Sequence, residues 1–416
     1  MTTKNISAII KVVTLMLAVC LCVLAFTISL SHDRDPEQNR TDPDTTSPSD
    51  VTSPEDSTTP DDTTAPPDDT ETEDQPLVTL PPDESDPSIE DGFELPIAGS
   101  TGYASIPTNI LSSADAGADK VGSLKAGECF RILAEDGDWW QIESGSATGW
   151  VTHKYCFINL PDIIPSIVYY DTNAFSSKFV SSGKTIPGIT DTKLYDAYMN
   201  NERLGRVEFI MPVLYSMAPK IYAAQQAALA EDETLIIYET FRPRETQQKV
   251  VNLLTLLAAV DSDVDKGISS DPWSMTWFIS TGVSNHQKGY AFDVSLGKVT
   301  GRRTMACGDY TYTMVTTYEE YTMPTPMHEL SRASASMQKP VSSKSETAWR
   351  DVPLAESMNA PAIRLRTLCT EAGLTPLASE WWHFNDLKTA AAVADSSNTG
   401  TYYISTLMSV PPTAEG

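Results

Sequence analysis

Apolar and polar positions divide this chain into stretches of different texture. Val12 to Leu30 carries no charge and is mostly Val, Leu, Ala, Cys and Ile, long enough as a helix to cross a ~30 Å hydrocarbon core. Residues 31–96 show no apolar period at all. From 97 to 158 short apolar stretches alternate with turn residues: Val121-Gly122-Ser123-Leu124, Gly127 to Leu133, Asp138 to Ile142, then Gly149-Trp150-Val151. Strands this short, with turns this close, predict a small all-β barrel. Residues 159–405 mix both periods. Apolar spacing predicts a helix within Pro212–Leu229, a buried strand at Leu235–Tyr238 and a helix from Glu245 to Val260, with Arg242-Pro243 breaking the chain between them. A strand at Tyr290–Ser295, a helix near Ala360–Ala372 and a strand-like run at Trp381–Phe384 follow, and residues 406–416 form a tail. The domain from 159 onward therefore reads as α+β.

Composition sharpens the first two stretches. The 416 residues carry 29 Lys+Arg against 56 Asp+Glu, a formal net charge of −27. A nucleic-acid binder must neutralise phosphates with clustered basic side chains, so no nucleic-acid partner is expected. Residues 31–95 alone hold 21 acids, two bases and 11 prolines. Such a segment cannot bury enough apolar surface to offset chain entropy and reads as a disordered, extended linker. Lys4 and Lys11 precede the apolar run and acids follow it. The positive-inside bias then predicts a single-pass transmembrane signal-anchor with a cytoplasmic N-terminus and the remaining chain extracellular. The competing reading is a cleaved signal peptide, but no small-x-small site closes the run. Of six cysteines, Cys129 with Cys156 and Cys307 with Cys369 are the pairs considered for disulfides, against buried free thiols.

Ser284 to Val294 carries the sharpest chemistry. On a strand from Tyr290, Tyr290, Phe292 and Val294 face one way, and Ala291, Asp293 and Ser295 the other. Asp293 thus projects among side chains too small to cover it, shortly after His286. The chain has five His; His32 falls in the linker and His153 in the barrel, leaving His286, His328 and His383. His286, Asp293 and a later His make an open-sided zinc site with a fourth position free. His383 follows Glu380 by three residues, a spacing that lets a carboxylate serve as base beside the metal if the chain turns there. Arg242 ends a buried strand, where its guanidinium can grip a carboxylate bidentately or form an ordinary salt bridge.

Two resemblances follow from these motifs. The V-G-x-L, G-x-x-hydrophobic-strand, W-x-x-I and G-W-V order of 97–158 resembles a bacterial SH3-like domain, a class that commonly binds cell-wall peptide or glycan. Trp139, Trp140 and Trp150 offer themselves as groove or as core. The 159–405 domain resembles the zinc D-alanyl-D-alanine peptidases, closest to the D-Ala-D-Ala dipeptidase branch. The matching segments are Ile164-Pro165 with Asp171 to Phe175, Phe241-Arg242-Pro243 with Gln247, Ser284 to Asp293 in full, Met323 to His328, Asn359, Gly373 to Pro376, and Ser379 to Phe384. The resemblance implies an α+β domain with an antiparallel sheet and flanking helices. It implies one zinc ion held by His286, Asp293 and His383, Glu380 as catalytic base, Arg242 as a catalytic and substrate-binding cation, and Ser284 beside the substrate. His328 stands where the family has Asp. The implied activity is hydrolysis of the D-Ala-D-Ala bond, in the free dipeptide or at the end of a peptidoglycan stem peptide. The alternatives are a wall-binding or sensing protein with a degenerate peptidase domain, and an endopeptidase cutting inside wall cross-links.

Overall fold

Alternation of one-sided apolar strands with glycine turns builds the first layer. In the computed structural model, which describes residues 92–396 and 398–414, the strands are β1 (Thr101–Ala104), β2 (Thr108–Leu111), β3 (Lys120–Leu124), β4 (Cys129–Asp136), β5 (Trp139–Ser144), β6 (Ala147–Thr152) and β7 (Cys156–Asn159). Phe130, Ile132, Trp140, Ile142 and Val151 fill the interior, as their period of two requires. The expected anchor and nearly all of the linker lie outside the described residues. Among those described, no helix is long and apolar enough to cross a membrane.

A short helix, α1 (Leu160–Ile163), leads out of the barrel to β8 (Val168–Tyr169). Two small hairpins follow, β9 (Val180–Ser181) with β10 (Lys184–Thr185) and β11 (Tyr198–Asn201) with β12 (Arg206–Phe209). The stretch expected to open a helix at Pro212 instead forms β13 (Pro212–Leu214), and α2 begins only at Ala218, running to Leu229. The reason is tertiary: β7 presents an open edge, and β13 covers it antiparallel, Val213 opposite Ile158 and Leu214 opposite Phe157. The barrel sheet thus runs β13-β7-β1-β4-β5-β6-β2-β3, its first strand supplied by the next domain.

The second sheet has the order β17-β18-β15-β14-β8, with β16 paired to β15. Its strands are β14 (Glu233–Glu239), β15 (Ala291–Cys307), β16 (Tyr310–Glu320), β17 (Thr375–Pro376) and β18 (His383–Asn385). Pairing is antiparallel except for β8, which lies parallel to β14. Helix α3 (Arg244–Val260) buries Val250, Val251 and Leu254. Asp261 caps α4 (Ser262–Ser269) by accepting from the Asp263 and Val264 amides, and α5 (Met275–Phe278) follows. Asn359 caps α6 (Ala360–Glu371), and Asp386 caps α7 (Leu387–Ala392). One hydrophobic core runs from Phe130 and Trp140 in the barrel through Phe157 and Met211 to Ile236 and Phe292, so the two sheets share an interior. A second core, with Phe179, Val250, Leu254, Trp273 and Leu330, lies under α3 to α5.

Both ends of the described chain belong to this body. Phe93 and Leu95 are buried and Glu94 accepts from the Ser166 amide, so the linker expected to reach residue 96 stops short of Phe93. The tail is docked: the Val410 amide donates to the Gly99 carbonyl, and the Ser409 hydroxyl donates to buried Asp162 at 2.5 Å. The two disulfides considered do not form. Cys129 and Cys156 sit on β4 and β7, opposite Tyr103 and Ala104 on either side of β1. Two strand spacings, roughly 9–10 Å, are beyond a disulfide's reach.

Candidate metal and hydrolytic site

Register puts the key carboxylates in one row. Directly opposed residues of an antiparallel pair project from the same face, and Glu239, Asp293 and His383 are opposed across β14, β15 and β18. A bulge at Tyr238 makes this possible: Ile237 opposes Val294, and the pairing then skips to Glu239 opposite Asp293. Without the extra residue Tyr238 would face Asp293, a re-aiming typical of bulges beside functional sites.

His286 arrives from the turn that precedes β15. Its Nδ1 lies 2.6 Å from the Thr240 carbonyl, which fixes the proton there and leaves Nε2 bare. His383 Nε2 faces the Asn385 side-chain oxygen at 3.1 Å, which leaves Nδ1 bare. These two free nitrogens and the Asp293 carboxylate converge. His286 Nε2 is 3.1 Å from His383 Nδ1 and 3.3 Å from Asp293 Oδ2, and His383 Nδ1 is 2.9 Å from Asp293 Oδ1. Ligands around a tetrahedral ion with bonds of ~2.0–2.1 Å stand ~3.3 Å apart, so the triangle has the size of one zinc-like cation. All three residues are buried.

Charge favours a cation here. The carboxylates that sense one another here, Glu239, Asp293 and Glu380, face the one guanidinium of Arg242. Several acids around one guanidinium in a buried setting make the site one that a divalent cation would stabilise. Glu239, Asp293 and His328 also lie close enough to form a ligand group. Arg242 already contacts Glu239 and Asp293 there.

Protonation follows from the same crowding. Burial pushes the Asp293 carboxyl up, but His286, with His328 and His383, more than reverses this and holds it well below the usual range. Burial keeps His286 below the ordinary imidazole value, in the form a metal needs. Burial also lowers His383, yet Asp293 and Glu380 raise it on balance. Glu380 is pushed up to about 8, chiefly by burial. It lies in the bend before β18, with Oε2 3.7 Å from His383 Nδ1. The turn that the 380/383 spacing demanded is present.

Arg242 is placed as expected at the strand end and is buried against the same cavity. Its bidentate partner, however, is Glu239, not an open carboxylate position: Nε and Nη2 both reach Glu239, Nη1 donates to Gln247 at 2.8 Å, and Nη2 lies 3.4 Å from Asp293. Asn173 in turn donates to Glu239, so the Asp171–Phe175 segment acts by bracing this pair. Ser284 lines the cavity but also closes the His286 turn, its amide donating to Gln287 Oε1 and its hydroxyl accepting from the Gln287 amide. The cavity, of about 200 Å³, is rimmed by Phe179, Trp277, Ser280, Ser343 and Leu377. Sequence reasoning missed Glu239 and Asn385. Both had a readable signal, an acid three residues before Arg242 and a polar residue two after His383 on the same strand face.

In the barrel, Trp140 is core, while Trp139 and Trp150 are half-buried. Residues 107–156 match the bacterial SH3 domain family. The bacterial SH3 segment covers most of the barrel and none of the metal-site residues. No curated protein matches the chain.

Proposed function

We propose that the domain following the bacterial SH3 barrel is a metal-dependent peptidase that hydrolyses the terminal D-Ala-D-Ala amide of a cell-wall stem peptide. The observation that carries this reading is the ligand triangle of His286, Asp293 and His383, with Glu380 beside it. A zinc ion held there would polarise the scissile carbonyl and make a water acidic enough to attack near neutral pH. Glu380, with Oε2 3.7 Å from His383 Nδ1, would be the base that takes a proton from such a water and returns it to the leaving amine. Arg242, braced by Glu239 and Gln247, keeps one Nη1 hydrogen uncommitted and adds positive potential where negative charge develops. Trp277, Trp382 and Phe179 put apolar surface on the cavity wall.

The stem peptide is favoured over the free dipeptide because, among the described residues, the two carboxylates that line the cavity, Asp293 and Glu380, already face imidazole nitrogens and are not placed to take a free ammonium. Both Asp293 oxygens face imidazole nitrogens, and Glu380 sits against His383. The bacterial SH3 barrel suits the same setting, as a holder for wall peptide or glycan, and a membrane anchor would keep the enzyme outside the cell near that wall.

The test is release of D-Ala by the zinc-loaded full chain and its Glu380→Ala variant, from free D-Ala-D-Ala and from a pentapeptide ending in it. Release mainly from the pentapeptide, lost in the variant, is expected. Release from the dipeptide alone refutes the substrate preference. No Glu380-dependent release from either refutes cleavage at D-Ala-D-Ala and favours a wall-binding role or another bond in the wall.

A further inference from the structure

His328 sits among the site residues without a part in the chemistry above. It is fully buried, and its ring stacks on Phe179 with centroids 4.5 Å apart and lies edge-on to Trp382 at 6.0 Å. Its backbone is in the left-handed region, φ +61°, which costs a residue other than glycine on the order of 1 kcal/mol or more. A hydrogen bond from the Val180 amide to the His328 carbonyl holds that geometry in place. The strained backbone delivers one contact: Nε2 lies 3.0 Å from Asp293 Oδ2.

The proton on this imidazole can be placed. Nε2 faces a carboxylate oxygen at 3.0 Å, and no oxygen among the described residues draws the proton to the other ring nitrogen as Thr240 does for His286 and Asn385 for His383, so the hydrogen belongs on Nε2. Nδ1 is buried and has no partner. A nitrogen that carries the hydrogen bond to Asp293 is not free to ligate, which separates His328 from His286 and His383.

We propose that His328 is a positioning residue for the metal site, its Nε2–H fixing one oxygen of Asp293 so that the carboxylate meets the cation in one orientation. The inference rests on the metal-site reading above. Of the two Asp293 oxygens, Oδ1 faces the bare nitrogen of His383, and Oδ2 is held by His328 with Arg242 Nη2 at 3.4 Å. A carboxylate pinned at one oxygen loses the freedom to rotate about its own bond, and ligand-orienting contacts of this kind typically govern metal affinity 10–100-fold.

The experiment is zinc titration of the metal-stripped full chain against a chromophoric chelator, with the absorption spectrum of the cobalt-loaded protein as a second readout. Three variants are compared. His328→Leu fills space without a donor. His328→Asn accepts the left-handed backbone but is too short to reach Asp293, and it serves if the Leu variant fails to fold. His328→Gln carries an amide nitrogen about as far out as Nε2. Zinc affinity is expected to fall roughly 10–100-fold in the Leu and Asn variants, with an altered cobalt spectrum, and to return to within about threefold in the Gln variant. Wild-type affinity and spectrum in the Leu or Asn variant overturn this inference alone. Failure of the wild-type chain to bind zinc or cobalt overturns the metal-site reading together with it.

Discussion

Gly289 is the point where the barrel touches the loop that carries His286, and replacing it with alanine should disturb both. The residue has φ +79°, and a Cβ there would lie 1.9 Å from Phe157 Cε1 and 2.7 Å from Cδ1. Phe157 is fully buried on β7 and cannot swing aside into solvent. Left-handed strain on alanine costs about 1 kcal/mol and overpacking about 1–3 kcal/mol, so Gly289→Ala should cost roughly 2–4 kcal/mol. Phe157→Ala alone removes a buried ring, at about 3–5 kcal/mol. In the double variant the ring is gone and only the backbone strain of the new alanine is added. The two costs should therefore fall short of additivity by about 1–3 kcal/mol. Because the Gly289 amide donates to the His286 carbonyl at 3.0 Å, zinc affinity should follow the same pattern, weakened in Gly289→Ala and partly restored in the double variant. Urea denaturation of the four proteins, with and without zinc, measures both. Additive costs, or a single-variant cost below about 1 kcal/mol, would refute the claim that this contact sets the loop.

Three further outcomes follow from the geometry. Burial pushes the Glu94 carboxyl up to about 7 despite donors from Ser166 and Gln226. A raised folded-state value means stability fully present below pH ~4.5 and lost as pH rises through ~7, so the stability of Glu94→Gln relative to wild type should climb over that window. The climb is at most about 3 kcal/mol and smaller because the side chain keeps some water; urea midpoints at pH 5 and pH 8 that move in parallel would contradict it. Ser409→Ala should cost about 1–3 kcal/mol by leaving buried Asp162 short of a donor, read as a lower thermal midpoint; an unchanged midpoint would mean the tail's docking contributes little. Asn385→Leu removes the acceptor that orients His383 and should weaken zinc binding about 10–100-fold in the chelator titration, whereas an affinity equal to wild type would show that His383 is oriented by other contacts.

The parts of the site that were legible in the sequence are those with local spacing. His286 and Asp293 share one turn and strand, and Glu380 and His383 share one bend, so period and chain order sufficed to nominate them. The α+β reading of the larger domain and the all-β reading of 97–158 rested on equally local periods. What escaped notice is set by partners far away in the chain. Pro212–Leu214 has the composition of a helix entry, and only the uncovered edge of β7, more than fifty residues upstream, makes it a strand. The bulge at Tyr238 is invisible without β15 beside it, yet it decides that Glu239 and not Tyr238 stands opposite Asp293. His328 read as a departure at a motif position; its contact with Asp293 depends on a left-handed backbone that no local residue demands. The linker end and the tail read as loose because their contacts, Glu94 with Ser166 and Ser409 with Asp162, close over long separations.

Strand β13 gives the molecule a mechanical character. On one edge it is laddered to β7 of the barrel, and beyond that pairing the Leu214 amide donates to the Gly289 carbonyl at 2.8 Å, three residues from His286. Backbone hydrogen bonds therefore run without interruption from the barrel to the loop bearing His286, a candidate metal ligand. A force applied to the barrel would travel along this line and load the His286 turn. The barrel and the His286 turn are thus parts of one hydrogen-bonded body.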